Sequence, residues 1–97
     1  MPERWLPVPG YQGWYEVSDA GNVYAMARAG AHGGLLKPGL TSGGYRFVVL
    51  YKYGRARTRT VGSLVLEAFN STAPRGARAR HGAGGRLDDS LGNLRWG

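Results

Sequence analysis

Cysteine is absent from this sequence. That excludes disulfides and thiolate zinc sites as supports for a small core, and it fits a reducing compartment. Long apolar runs are missing too. Nothing approaches the roughly 20 residues that a membrane-spanning helix needs, and Met1-Pro2-Glu3-Arg4-Trp5 lacks the apolar stretch of a secretory signal. Carboxylates are scarce and unevenly placed. Six of them face 13 basic residues, giving a net charge of +7, and after Asp19 none occurs until Glu67. The expectation is a soluble cytoplasmic protein without a membrane partner. At 97 residues it forms one compact unit with a thin core.

The acid-free interval carries Arg28, Lys37, Arg46, Lys52, Arg55, Arg57 and Arg59. Cations unbroken by acids produce a one-signed field that attracts polyanions. Arginine greatly outnumbers lysine, and its planar fork suits phosphate. Nucleic acid is therefore the expected partner. The 17 glycines lie scattered between β-type runs, which signals turns rather than disorder.

Pro7 and Pro9 exclude a helix at the start and favour an extended entry. Trp14 to Ser18 reads as a strand, Asp19-Ala20-Gly21-Asn22 as a turn, and Val23 to Met26 as the returning strand. Trp5 and Trp14 are expected to fill the core. Residues 27–34 read as a mobile loop in which His32 is solvated. Leu35 to Pro38 reads as a short edge strand. The clearest hairpin spans residues 45–61. Tyr45, Phe47, Val49, Tyr51 and Tyr53 share one face, and Arg46, Val48, Leu50 and Lys52 share the other. On the return strand Arg55, Arg57 and Arg59 alternate with small residues. They form a comb spaced at roughly 6.6–7 Å per step that matches successive phosphates. A helix is expected from Ser63, as N-cap, to Asn70, with Leu64, Val65, Ala68 and Phe69 inward and Glu67 outward.

The last twenty residues hold the one cluster with the look of chemistry: Arg78, Arg80, His81, a glycine-rich turn, Asp88, Asp89 and Asn93-Leu94-Arg95-Trp96. No serine–histidine–acid set or phosphate-cradling glycine loop competes with it. From the residues alone, His81 and Asn93 hydrogen-bond across a strand pair. Asp88 and Asp89 form the turn or pair with Arg86 or Arg95.

Two stretches carry a family resemblance. Residues 3–24, from Glu3-Arg4-Trp5-Leu6-Pro7 through Gly13-Trp14-Tyr15-Glu16-Val17-Ser18-Asp19 to Val23-Tyr24, resemble the modular DNA-binding motif at the N-terminus of phage and intron-encoded HNH homing endonucleases. Val61 to Phe69, followed by His81, Gly84, Leu87-Asp88-Asp89 and Asn93-Leu94-Arg95-Trp96, resemble the catalytic part of that family. The resemblance implies an α+β fold: a small curved antiparallel sheet with one packed helix and a ββα-metal tail. Residues 1–44 would hold the N-terminal motif and its connecting loop, and residues 45–97 the hairpin, helix and partial HNH motif. His81 would be the general base and Asn93 its orienting partner, acting with one magnesium or manganese ion.

Departures qualify that implication. Arg80 stands where family members carry an acidic metal ligand, Gly62 where they carry a histidine, and Ala83 and Gly85 where many carry Asp. The family's last helix, with its final ligand, follows the Asn-Leu-x-Trp strand, so the tail is expected to be truncated. No residue here is assigned to metal. The reading is a phage-encoded protein of the bacterial cytoplasm that binds double-stranded DNA through Arg46, Lys52, Arg55, Arg57, Arg59, Arg78 and Arg80, with cleavage lost or strongly impaired. The alternatives are an active metal-dependent nicking enzyme, or a decayed nuclease scaffold that binds a host protein.

Overall fold

The computed structural model describes residues 2–28 and 32–97. Among the described residues, alternating β-formers broken by glycine turns give nine short strands in three antiparallel sheets, with one α-helix between them. The first sheet pairs β1 (Trp5–Pro7), β2 (Tyr15–Ser18), β3 (Val23–Ala25) and β4 (Gly34–Leu35) in sequential order. The second pairs β5 (Gly39–Leu40), β6 (Arg46–Lys52) and β7 (Arg55–Thr60). Helix α1 (Val61–Phe69) follows β7 without a linker, and β8 (Ala79–His81) pairs with β9 (Leu94–Trp96) to close the chain. Among the described residues no helix is long and apolar enough to cross a membrane. The loop expected over 27–34 falls partly on residues 29–31, outside the described residues. His32 is exposed.

The hairpin of β6 and β7 settles which of its faces is inward. Val48 and Leu50 are buried, whereas Tyr51 is exposed, so the row of Arg46, Val48, Leu50 and Lys52 meets the core. The register places Arg59 opposite Val48, Arg57 opposite Leu50 and Arg55 opposite Lys52. Directly paired residues project on the same side of an antiparallel sheet. The arginine comb therefore lies on the core side, at the sheet's open edge beside α1.

The core is aliphatic: Val8, Val17, Val23, Val48, Leu50, Val61, Leu64 and Val65, with Tyr15 the one aromatic among them. The expectation that Trp5 and Trp14 fill it needs correction. Trp14 is half-buried at the margin, and Trp5 packs edge-to-face on Tyr24 at 6.2 Å. The inward positions of β2, β3 and β6 carry Val17, Val23, Val48 and Leu50, which fill the core themselves. The helix also begins earlier than its polar signal. Thr60 is the N-cap, without a side-chain capping bond, and Ser63 sits inside the first turn with its hydroxyl donating to the Thr60 carbonyl at 2.8 Å. Burial of Val61 overrides the local preference. Backbone N–H groups help join the sheets to each other and to the tail. Tyr51 N–H donates to the Tyr15 hydroxyl at 2.9 Å, and Leu91 N–H donates to the Asp19 carbonyl at 2.8 Å. At Gly21 (φ 87°) an added Cβ would lie 2.9 Å from the Asp89 carbonyl oxygen, so only glycine lets the β2–β3 turn sit against the tail.

Candidate active site and nucleic-acid interface

A cleft of about 430 Å3 opens between the start of α1, the β6 strand and the β8–β9 pair. Strand alternation turns His81 and Ala79 inward and Arg80 outward. The His81 side chain is only 8% exposed. Its Nε2 lies 2.7 Å from Oδ1 of Asp89, whose side chain is 1% exposed. An ionised carboxylate only accepts hydrogen bonds, so Nε2 donates. The other oxygen, Oδ2, accepts from Arg46 Nη1 at 3.1 Å. His81 Nδ1 is left buried with no hydrogen-bond partner among the described residues. The Tyr45 ring packs 5.4 Å from the imidazole.

This arrangement corrects two expectations. Asn93 makes no hydrogen bond to His81. Its Oδ1 accepts from Gly84 N–H at 2.9 Å, and its Nδ2 donates to the carbonyls of Asp88 at 2.8 Å and Gly85 at 3.2 Å. Asn93 lies one residue before β9, and its amide satisfies the backbone of the glycine-rich turn, which has few partners of its own. Asp89 forms no pair with Arg86 or Arg95. It is swallowed between α1 and β8, while Arg86 donates to the Gly43 carbonyl at 2.6 Å. Asp88 does form the turn, accepting from the Ser90 hydroxyl at 2.6 Å and the Ser90 backbone N–H at 3.1 Å. Those two bonds, hydroxyl first, hold its carboxyl below the usual 3.8.

The basic residues divide into engaged and open groups. Arg46 is tied to Asp89. Arg59 pairs with Glu67 and bonds Ser63, folding back over α1 instead of continuing the comb. Glu67 is thus half-buried rather than turned to solvent. Lys52 donates to the Gly10 carbonyl at 2.6 Å. Arg55, Arg57, Arg78 and Arg80 are exposed, and no side-chain hydrogen bond or ion pair occupies them among the described residues. Arg55 and Arg57 border an open groove of about 1220 Å3. On the outer face of the closing strand pair, Arg80 stands directly opposite Arg95. The sequence offered Arg95 as an ion-pair partner of the aspartates and did not assign it to DNA. The signal for it was the same one-residue alternation that exposes Arg78 and Arg80.

A family model described as the NUMOD4 motif matches residues 3–51. The DNA endonuclease I-HmuI of Bacillus phage SP01 is 33% identical over 93 residues, which span 96% of this chain and 51% of that protein. A solved structure, described as DNA binding and cleavage by the HNH homing endonuclease I-HmuI, superposes with a TM-score of 0.84 at 32% identity over 97% of this chain and 52% of the other. This chain belongs to the HNH homing endonuclease family. The α+β fold is that family's fold, and the chain spans about half the length of the relatives it matches.

The donor set of the cleft is poor for the divalent ion that the family resemblance implies. A divalent ion needs several hard oxygen or imidazole ligands. Both Asp89 oxygens are already bonded to a cation or a ring N–H, and Arg80 puts a guanidinium on the residue next to His81. Among the described residues no group of three histidine or carboxylate side chains could hold an ion. The residues present do not by themselves fit a divalent metal. Gly62, where the resemblance expects a histidine, is packed shut: an added Cβ would lie 3.1 Å from Asp89 Oδ1 and 3.2 Å from Leu94 Cδ2. What the cleft does offer is an imidazole fixed by a carboxylate, with one nitrogen lone pair left to take a proton.

Proposed function

We propose that this chain binds duplex DNA through Arg55, Arg57, Arg78 and Arg80, and that its His81 cleft alone supports little or no metal-dependent cleavage. The carrying observation is the set of exposed arginines on two sheet edges that no acid of the described chain neutralises. Arg80 and Arg95, directly opposed, repel one another in the free protein. A phosphate between them removes that penalty. The named activity of I-HmuI, DNA binding and cleavage, supports the polymer assigned here. Its phage source supports a phage-encoded protein acting inside the host cell. Arg46 and Arg59 serve the cleft's internal ion pairs, and Lys52 braces the loop at Gly10.

The test is the salt dependence of binding to a short duplex of arbitrary sequence. Four phosphate contacts give a slope of log affinity against log salt of about −3.6, at about 0.9 per neutralised phosphate. Removing both Arg55 and Arg57 would make it about 1.8 units shallower. A flat response sinks the reading.

One observation favours the second reading, an active nicking enzyme: the buried and unpartnered His81 Nδ1 beside an orienting Asp89. Supercoiled plasmid incubated with magnesium or manganese separates the two. The proposal expects no nicking above that of His81→Ala. Nicking abolished by His81→Ala establishes the alternative.

A further inference from the structure

We propose that the pocket between Trp14 and the tip of the β6–β7 hairpin is a stacking site for an unpaired nucleobase. It would lie next to a duplex held by Arg55 and Arg57. The inference rests on the DNA-binding reading and adds a contact that backbone charge cannot supply.

The hairpin tip is a two-residue turn. Lys52 pairs with Arg55, and the central Tyr53 and Gly54 both have positive φ, 52° and 74°. Turns of this kind favour asparagine or glycine at the first position, because a side chain with a bulky Cβ substituent fits the left-handed region poorly. Tyr53 is the one non-glycine residue with positive φ among the described residues. It is also 80% exposed, so burial does not offset the unfavourable backbone. A strained, solvent-facing aromatic is the kind of outlier from which a function is inferred.

Its surroundings specify the ligand chemistry. The Tyr53 ring meets Trp14 edge-to-face at 5.3 Å with planes 75° apart. Rings set that way do not stack on each other, so the exposed Tyr53 ring keeps a face for a third planar group. The Arg28 guanidinium lies 3.7 Å from the Trp14 ring centre, and the Lys52 ammonium lies 5.5 Å from the Tyr53 ring. Tyr51, 56% exposed, lines the same pocket of about 290 Å3. Aromatic faces interleaved with cations, in a pocket lined by no acid among the described residues, describe a platform for bases whose phosphates are neutralised alongside. An apolar peptide would have no use for the cations, and an intact duplex keeps its base faces covered. On the opposite face of the hairpin Arg55 and Arg57 line the large groove, and Lys52 and Tyr53 at the tip border both spaces. The tip thus sets a seat for an unpaired base beside a seat for paired backbone.

The experiment compares a blunt duplex with the same duplex ending in a fork of unpaired thymines. Affinities are read by fluorescence anisotropy for the wild type, Tyr53→Asn and Tyr53→Phe. Asparagine tolerates the left-handed turn, so the first variant removes the ring while keeping the hairpin. The wild type is expected to prefer the fork about fivefold or more, the lower end of what one stacked base contributes. Tyr53→Asn should lose that preference and keep its affinity for the blunt duplex, and Tyr53→Phe should retain both. Equal wild-type affinity for the two substrates overturns the stacking site and leaves the duplex reading standing. So does an equal loss by Tyr53→Asn on both. Failure to bind either DNA overturns the two readings together.

Discussion

Asp89 is the residue on which the tail depends. One carboxylate, almost wholly withdrawn from water, bonds Arg46 from the second sheet and His81 from the last one. Removing one partner from a buried ionic network leaves the others desolvated and unpaired, at a cost of about 3 kcal/mol. Asp89→Ala should therefore lower the melting temperature by on the order of 10–20 °C, and Asp89→Asn, which keeps the shape and one acceptor, by less. Thermal unfolding followed by circular dichroism checks both, and a drop of a degree or two would mean the network is idle. Asp88, its neighbour, acts locally. Its folded pKa lies below the ordinary 3.8, so between those values the unfolded chain binds more protons and stability rises with pH. The contribution is complete above 3.8 and disappears as pH falls through the lower folded value. Ser90→Ala removes the hydroxyl bond, the largest cause. Carboxyl NMR titration should then find the Asp88 pKa moved up towards 3.8, with a shallower acid limb of the stability curve. The sequence offered two adjacent aspartates with equal claims on the turn. Their separation into a surface cap and a buried anchor depends on Arg46, which is 43 positions away from Asp89.

At the scale of elements, the most exacting junction is where β7 runs into α1. Gly62 normally weakens a helix relative to alanine, yet here the space above it is filled by Asp89, Leu94 and His81. Because Asp89 is fixed at both oxygens, it has little freedom to retreat. Gly62→Ala is expected to cost about 1 kcal/mol despite its better helix propensity. Gly62→His, which restores the residue the family resemblance expects, should cost more and break the His81–Asp89 contact. Urea unfolding measures the first effect, and the imidazole NMR shifts of His81 report the second. A stabilised Gly62→Ala would show that the tail yields. The hairpin of β6 and β7 was legible in the sequence, because residues alternating over seven positions have one geometric solution. The helix start was not. Its polar signal at Ser63 is local, whereas the burial that places Val61 in the first turn comes from other strands.

At the scale of the whole molecule, a net charge of +7 is distributed over a body 40 × 31 × 23 Å in extent. The longest dimension is close to one helical turn of B-DNA, about 34 Å, so the chain meets few phosphates at once. Charge reversal at Arg78 and Arg80 should weaken duplex binding to a similar degree on unrelated sequences, since phosphate contacts carry no sequence information. A loss confined to one target sequence would place those side chains on base edges instead. The sequence by itself determined the hairpin and the excess of cations, because periodicity, turn chemistry and charge count are properties of neighbouring residues, and its two motif stretches carried the resemblance that implied the family and the α+β class. It could not assign the cations their tasks. Arg46, Arg57 and Arg59 look alike along a strand, but an acid brought close by folding claims the first and third and leaves the second exposed. Only the tertiary structure decided that, and with it the partner of His81. A buried ion pair is fixed by which distant groups share the same low-dielectric space, and spacing along a chain carries no record of that.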